Sequence, residues 1–144
     1  MKKYLVIGNP IEHSLSPTLH NYWIKKNNID AVYDKRQLNE SDIKEIINEI
    51  KKGTIDGINV TVPFKKSVTP FLDRLTTLAE EAQSVNTIFK KNNKIIGANT
   101  DIGGFEQGLK YINYSVKNKK VFILGAGGVA VSYTHLTLPT NREV

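Results

Sequence analysis

Tyr4-Leu5-Val6-Ile7-Gly8-Asn9-Pro10-Ile11-Glu12-His13-Ser14-Leu15-Ser16-Pro17 contains, in one short stretch, an apolar run, a turn-forming loop and a helix start. Residues 4–8 read as a buried-type strand that Gly8-Asn9-Pro10 brings to an end. Ser16 followed by Pro17 has the form of an N-cap and a first helical residue. The helix is expected to run to about Asn27, with Leu19, Tyr22 and Trp23 sharing one face. A strand that feeds a helix across a short polar loop is the repeating unit of an α/β fold.

The same grammar continues along the chain. Residues 31–37 read as a second strand. Ser41 is placed to cap a strongly amphipathic helix in which Ile43, Ile46, Ile47 and Ile50 repeat at three and four residues, and Gly53 ends it. Gly57-Ile58-Asn59-Val60-Thr61 is a short strand that runs into Pro63, and short helical turns follow to about Ser84. Val85 to Lys90 and Lys94 to Ala98 pair as a hairpin across Lys91-Asn92-Asn93. Thr100 is placed to cap a helix through about Asn113, with Phe105, Leu109 and Ile112 on one side. Lys120-Val121-Phe122-Ile123-Leu124 then reads as a further buried-type strand that feeds Gly125-Ala126-Gly127-Gly128. The expected architecture is an α/β three-layer sandwich on a mostly parallel sheet, followed by the first strand of a Rossmann-type domain.

The last stretch breaks the pattern. A helix should follow the glycine turn, yet residues 131–144 are rich in β-branched residues, contain Pro139 and carry none of the lysines that fill the first 130. This tail is expected to be foreign to the fold or frame-shifted, and it resembles cloning-derived sequence.

Composition narrows the function classes. The chain has 144 residues, 40% of them hydrophobic and 24% charged, which is a globular balance for about one domain. No apolar run is long enough to span a bilayer, and the N-terminal run is too short for a signal-peptide core. Absence of cysteine excludes a disulfide framework and a thiolate metal site, so the expected compartment is the cytoplasm. The formal charge of +6 raises the question of nucleic acid. The basic pairs Lys25-Lys26, Lys51-Lys52, Lys65-Lys66 and Lys90-Lys91 fall at the ends of separate elements with no aromatic platform, and read as solvated surface. The expectation is no nucleic acid and no membrane.

Three polar clusters and a glycine run carry the candidate chemistry. Ser14 and Ser16 precede a helix N-terminus, where two hydroxyls and free N–H groups can cradle a carboxylate; alternatively Ser16 is only a cap and Ser14 a loop residue. His13 reads as a loop histidine, and His20 as a surface or half-buried one. Asn59 and Thr61 share one side of a strand end because strand side chains alternate. Lys65 follows the rigid Pro63 turn and can return over the same cleft, although a lysine is by default solvated. Asn86 and Thr87 stand in a strand, and Asp101 sits in a helix first turn, where an acid is usually just a good helix starter. The sharper reading is an Asp101–Lys65 pair, in which the carboxylate keeps the ammonium protonated and aimed at charge developing on a substrate oxygen. Gly125, Ala126, Gly127 and Gly128 can present N–H groups to a pyrophosphate, a weak signal without a second strand to read a ribose.

In order and spacing, these segments resemble the shikimate dehydrogenase family. The match is carried by residues 8–17, by Gly57 to Lys65, by Val85-Asn86-Thr87, by Asn99-Thr100-Asp101 with Gly103-Gly104-Phe105, and by the glycine run after Leu124, and it covers residues 3 to 130. The resemblance implies that Ser14 and Ser16 hold a substrate carboxylate, that Lys65 and Asp101 are the catalytic pair, and that Asn59, Thr61, Asn86 and Thr87 line the site. Of these, Asn86 is the firmer contact to ring hydroxyls. It implies reversible reduction of 3-dehydroshikimate to shikimate with NADPH, in chorismate and aromatic amino-acid biosynthesis, with NADP held by Gly125, Ala126, Gly127 and Gly128 and with no metal.

On this resemblance residues 1–100 are a substrate-binding domain, 101–118 a connecting helix and linker, 119–130 the start of an NADP-binding domain and 131–144 the non-native tail. The family pattern continues for roughly another domain's length. The chain as given is therefore expected to bind shikimate weakly and to turn over negligibly. A homodimer is one assembly the resemblance allows. The rival readings are a paralogue that acts on quinate or an aminated shikimate and a catalytically silent module that binds shikimate-like acids. Retention of both Lys65 and Asp101 speaks against the second, because binding alone needs no proton-transfer pair.

Overall fold

The computed structural model describes residues 1–117, 119–124 and 130. Six strands, β1 (Lys2–Gly8), β2 (Ala31–Gln37), β3 (Gly57–Val60), β4 (Arg74–Leu75), β5 (Thr87–Lys91) and β6 (Lys94–Ala98), form one sheet in the order β2-β1-β3-β5-β6-β4. β1 pairs in parallel with β2 and β3, β4 in parallel with β6, and β5 is antiparallel to both neighbours, so five strands run one way. Four helices accompany them: α1 (Ser16–Lys26), α2 (Ile43–Lys52), α3 (Thr77–Ala82) and α4 (Asp101–Tyr111). The fold is the expected α/β three-layer sandwich.

The two faces of the sheet differ in chemistry. On one face Leu5, Ile7, Ile58, Val60, Ile88 and Ile95 meet Ile43, Ile46, Ile47 and Ile50 of α2 and Ala79 of α3. All four α2 isoleucines are at most 1% exposed; burying each is worth about 1.5–3 kcal/mol. Gly53 at φ 78 closes α2, a backbone conformation that costs glycine nothing. The opposite face carries only a small cluster, Val6, Ile11 and Tyr33, with Tyr4 and Ile24 packed against it. Asn59 and Thr87 stand on the same face, with Phe89 and Ile96 half-buried beyond them.

Several local expectations change. Ser16 makes no capping bond to α1, whose N-cap position is Leu15. The expected face of Leu19, Tyr22 and Trp23 is exposed. α1 meets the sheet through Ile24 and through polar groups: His20 stacks flat on Tyr33, with centroids 4.1 Å apart, and Asn21 exchanges two hydrogen bonds with the Tyr33 backbone, at 2.7 and 3.0 Å. Ser41 does not cap α2, since a 3-10 turn (Glu40–Asp42) comes first, with Asp42 accepting from the Asn39 N–H at 2.8 Å. Thr100 does not cap α4; the Asn99 Oδ1 accepts from the N–H groups of Asp101 (3.0 Å) and Ile102 (3.3 Å). The hairpin loop is only Asn92-Asn93, at φ 50 and 61, because asparagine tolerates the left-handed conformations a tight hairpin needs. β4 was hidden within the expected helical turns, since two residues carry no readable period. Residues 120–124 form no strand: Phe122 and Leu124 are each 88% exposed. A parallel strand exists only beside a partner, and no described strand pairs with it. The 131–144 tail lies outside the described residues.

Tyr33 is 4% exposed, and burial pushes its phenol up to about 12 from its ordinary 10.0, partly offset by a hydrogen bond with the Ser16 hydroxyl. Burial also pushes the His20 imidazole below its ordinary 6.5. Between 10.0 and about 12 the unfolded chain has lost the Tyr33 proton and the folded chain keeps it. The unfolded state therefore binds fewer protons there, and stability falls as the pH rises through that window.

Two outcomes follow from this packing. Ile47→Ala leaves a hole in the α2 face and is expected to cost about 2–5 kcal/mol in urea unfolding; a loss under about 1 kcal/mol would mean that α2 does not seal this core. An ultraviolet phenolate titration should find one of the six tyrosines ionising near 12, and that step should vanish in Tyr33→Phe.

Candidate active site

The site lies where β1 and β3 end, β5 begins and α4 starts. Gly8 closes β1 tightly: a Cβ there would stand 2.7 Å from Thr61 Cγ2 and 3.0 Å from the Val62 carbonyl oxygen. Without a side chain, the loop after β1 can lie against the turn after β3, and Asn9 N–H bonds the Val62 carbonyl at 3.0 Å. Buried Ile11 anchors the serine loop, and Ser14 N–H bonds the Ile11 carbonyl at 3.0 Å. Ser14 Oγ accepts from the Ser16 N–H at 3.3 Å, which leaves its own proton available to a ligand.

Lys65 returns over the cleft because the turn after β3 closes with Phe64 N–H on the Thr61 carbonyl (2.9 Å), while Phe64 itself is buried in the core. Val85 N–H bonds the Lys65 carbonyl at 2.8 Å and fixes the backbone next to β5. The Lys65 ammonium then meets Asp101 Oδ2 at 2.6 Å, with the two side chains only 13% and 25% exposed. A part-buried ammonium needs such a partner, because removing an unpaired charge from water is costly.

Asp101 is held from three sides. Its carboxylate occupies the first turn of α4, where the unpaired N–H groups and dipole favour negative charge. Asn99, 4% exposed, fixes its backbone and donates Nδ2–H to the Ser84 carbonyl at 2.9 Å. Asn86, 8% exposed, donates to Asp101 Oδ1 and to Thr100 Oγ1, each at 2.8 Å. Asn86 is itself pinned by its backbone: its carbonyl accepts from Val60 N–H (2.8 Å), and its N–H donates to the Ala98 carbonyl (3.0 Å).

The remaining members join in sequence. Thr87 Oγ1 donates to Asn86 Oδ1 at 3.0 Å, and Asn59 Nδ2 donates to Thr87 Oγ1 at 3.1 Å and to the Asn86 carbonyl at 3.2 Å. Tyr33 Oη donates to Asn59 Oδ1 at 2.7 Å. One network thus links Tyr33, Asn59, Thr87, Asn86, Asp101 and Lys65, while Ser14 and Ser16 are tied to each other through the Ser16 N–H. Thr61 stands beside Gly8, outside this network. Gly125, Ala126, Gly127 and Gly128 lie outside the described residues.

Sequence reasoning passed over Tyr33 and Asn99. A signal for Tyr33 existed in the strand alternation. Tyr33 and Gly57 both register with Tyr4, and Lys35 and Asn59 both register with Val6, which puts Tyr33 and Asn59 on the same face of the sheet across β1. Asn99 was hidden by Thr100, an equally good cap by residue type.

The arrangement offers hydroxyl donors that suit an anion, side-chain amides that suit polar ligand groups and a paired ammonium able to transfer a proton. The family model of the shikimate dehydrogenase substrate binding domain matches residues 6–88. A shikimate dehydrogenase (NADP(+)) of Pelagibacter ubique is 60% identical over 131 residues, which cover 91% of this chain and 49% of that protein. The crystal structure of shikimate dehydrogenase 1 from Peptoclostridium difficile superposes with a TM-score of 0.90 at 32% identity, over 95% of this chain and 51% of that one. The shikimate 5-dehydrogenase of Thermus thermophilus in complex with NADP(H) and shikimate gives a TM-score of 0.88 at 27% identity, over 95% and 52%. The chain spans about half the length of the relatives it matches. By family match, sequence and fold together, the chain belongs to the shikimate dehydrogenase family.

Proposed function

We propose that this chain is the substrate-binding part of an NADP-dependent shikimate dehydrogenase, acting in the reversible reduction of 3-dehydroshikimate to shikimate. The observation that carries the reading is the 2.6 Å contact between Lys65 and Asp101, tied through one hydrogen-bond network to Asn86, Thr87 and Asn59. Homologous dehydrogenases of the same name and a neighbour holding NADP(H) and shikimate support it.

In the proposed chemistry Ser14 and Ser16 donate to the substrate carboxylate, charge-assisted bonds roughly twice as strong as neutral ones. Asn59, Thr87 and Asn86 face the ring hydroxyls, and Thr61 borders the same cleft. As the ketone is reduced, its oxygen gains negative charge; the Lys65 ammonium stabilises that charge and delivers a proton to it. Asp101 keeps the ammonium charged and aimed. In the reverse direction neutral Lys65 takes the hydroxyl proton back.

The donor set suits an external redox carrier, because hydroxyls, amides and an ammonium can hold an anion and move a proton but none can exchange a hydride. NADP, when bound, supplies the hydride chemistry. Its pyrophosphate is assigned to Gly125, Ala126, Gly127 and Gly128. We place residues 1–100 as the substrate-binding domain, 101–118 as connection and 119–130 as the start of the nucleotide domain. A cysteine-free composition fits a reducing compartment, and we place the protein in the cytoplasm. No helix among the described residues is long and apolar enough to cross a membrane.

A shikimate titration followed calorimetrically, run beside an assay of NADP reduction, tests this. Saturable binding is expected, weakened by about tenfold or more when Ser14→Ala and Ser16→Ala are combined. Turnover by this chain alone should be negligible, since its described residues form no nucleotide-binding fold. In a chain extended through the nucleotide domain, Lys65→Met should slow turnover by about 10²–10⁴. Absence of saturable binding, or full turnover with Lys65→Met, would defeat the assignment.

A further inference from the structure

The serine loop is held against the sheet at successive points. Asn9 Nδ2–H donates to the Leu38 carbonyl at 3.0 Å, and the Ile11 side chain is buried. Ser14 N–H on the Ile11 carbonyl closes a turn whose two middle residues are Glu12 and His13. Such a turn uses the carbonyl of its first residue and the N–H of its last, so the Glu12 carbonyl has no partner within it. Lys35 of β2 supplies one: its Nζ donates to the Glu12 carbonyl.

Strand register brings Lys35 there. Lys35 and Asn59 both pair with Val6 of β1, so their side chains rise from the face of the sheet on which the candidate site lies. The neighbouring Asp34 leaves from the other face, and its carboxylate accepts the Lys35 main-chain N–H at 2.7 Å rather than the ammonium. Among the described residues no carboxylate forms an ion pair with Lys35. The bond to Glu12 spends one of three N–H donors and leaves the charge whole. That charge also offsets the exposed Glu12 carboxylate, which belongs to the same turn.

We propose that Lys35 is a specificity-determining residue of this site: docked on the Glu12 carbonyl, its ammonium makes the serine loop prefer an ionised carboxylate to a neutral ligand of the same shape. The proposal rests on the shikimate reading and names what selects the acid group. Ser14 and Ser16 can donate to a neutral carbonyl oxygen as well as to a carboxylate. A fixed positive charge adds discrimination that hydroxyls lack. Two residues of chain and one hydrogen bond put the ammonium on the order of 10 Å from the Ser14 hydroxyl. Near a protein surface, attraction over that distance is worth about three- to tenfold in affinity. Lys35 thus acts on the ligand through the field at the loop and needs no direct contact with it.

Calorimetric titration with shikimate and with its primary amide, equal in size and uncharged, separates charge from shape. At about 0.01 M ionic strength, where screening sets in only beyond about 30 Å, Lys35→Gln should weaken shikimate binding by about three- to tenfold and amide binding by less than about twofold. Lys35→Arg, which keeps the charge, should restore the preference. At about 1 M salt the screening length falls to about 3 Å, and Lys35→Gln should bind shikimate as the unsubstituted chain does. A side chain that merely braces the loop would cost both ligands alike at either salt concentration, and that result overturns the proposal, as does unchanged shikimate affinity in Lys35→Gln. Should the amide bind too weakly to follow, the salt series decides between the same outcomes. If the unsubstituted chain binds no shikimate, the reading of function fails. The nitrogen-15 signal of the His13 main-chain amide, bonded directly to the Glu12 carbonyl carbon, then decides for Lys35: moved in Lys35→Gln it upholds the docking, and unmoved it overturns it.

Discussion

The rest of the structure answers to one ion pair, Lys65 against Asp101, closed at 2.6 Å between segments 36 residues apart. An ammonium and a carboxylate that are mostly out of water must be paired and hydrogen-bonded, or their desolvation is not offset. Each piece of backbone near the pair meets that need. The Phe64 turn points Lys65 inward, Asn99 starts α4 at the residue that carries the acid, and Asn86 satisfies the carboxylate oxygen that Lys65 leaves. The pair brings little net stability, because the hydration that both charges give up is comparable in size with their mutual attraction. What it provides is an ammonium held in one place.

Stability comes from the other side of the sheet. Ile58, Val60 and Ile88 point into the isoleucine core under α2, and the residues that alternate with them, Asn59 and Thr87, point into the site. The strands that supply the core therefore also supply the polar network, by the two-residue period alone. A slip of one residue would drive Asn59 into the isoleucine cluster and carry Ile58 into the cleft. The hydrophobic face thus fixes the register of the polar face, which has too few apolar neighbours to fix its own.

That division explains what was legible in the sequence. The α2 repeat and the strands β1, β2, β3 and β6 follow from periodicity, because burial on one face writes itself as a pattern. Lys65 and Asp101 could be named as a pair from residue type and position after a turn and at a helix start. What escaped was decided by competition between neighbours of similar chemistry. Asn99 rather than Thr100 caps α4, because the Asn99 side chain reaches two N–H groups while the Thr100 hydroxyl is drawn to Asn86. Ser16 does not cap α1 because the helix begins one residue earlier than its residue type suggests, with Leu15 at the N-cap position. β4 is too short to have a period, and residues 120–124 have an apolar run but no described strand beside them.

Tyr33 shows most clearly why a motif-based reading stops short. In sequence it is one aromatic residue in an ordinary strand, 26 residues before Asn59. In space β1 lies between them, and Val6, which registers with Asn59, is small enough for the phenol to cross and reach it. The parallel β2-β1-β3 order brings the hydroxyl to the site, and α1 holds it there with a stacked imidazole and an amide clamp beside the apolar contact of Ile24. A helix with no buried residue would contribute little as a cover for the sheet. Its polar contacts are better understood as a clamp on Tyr33, since the stacked imidazole and the two Asn21 bonds hold the phenol where it meets Asn59.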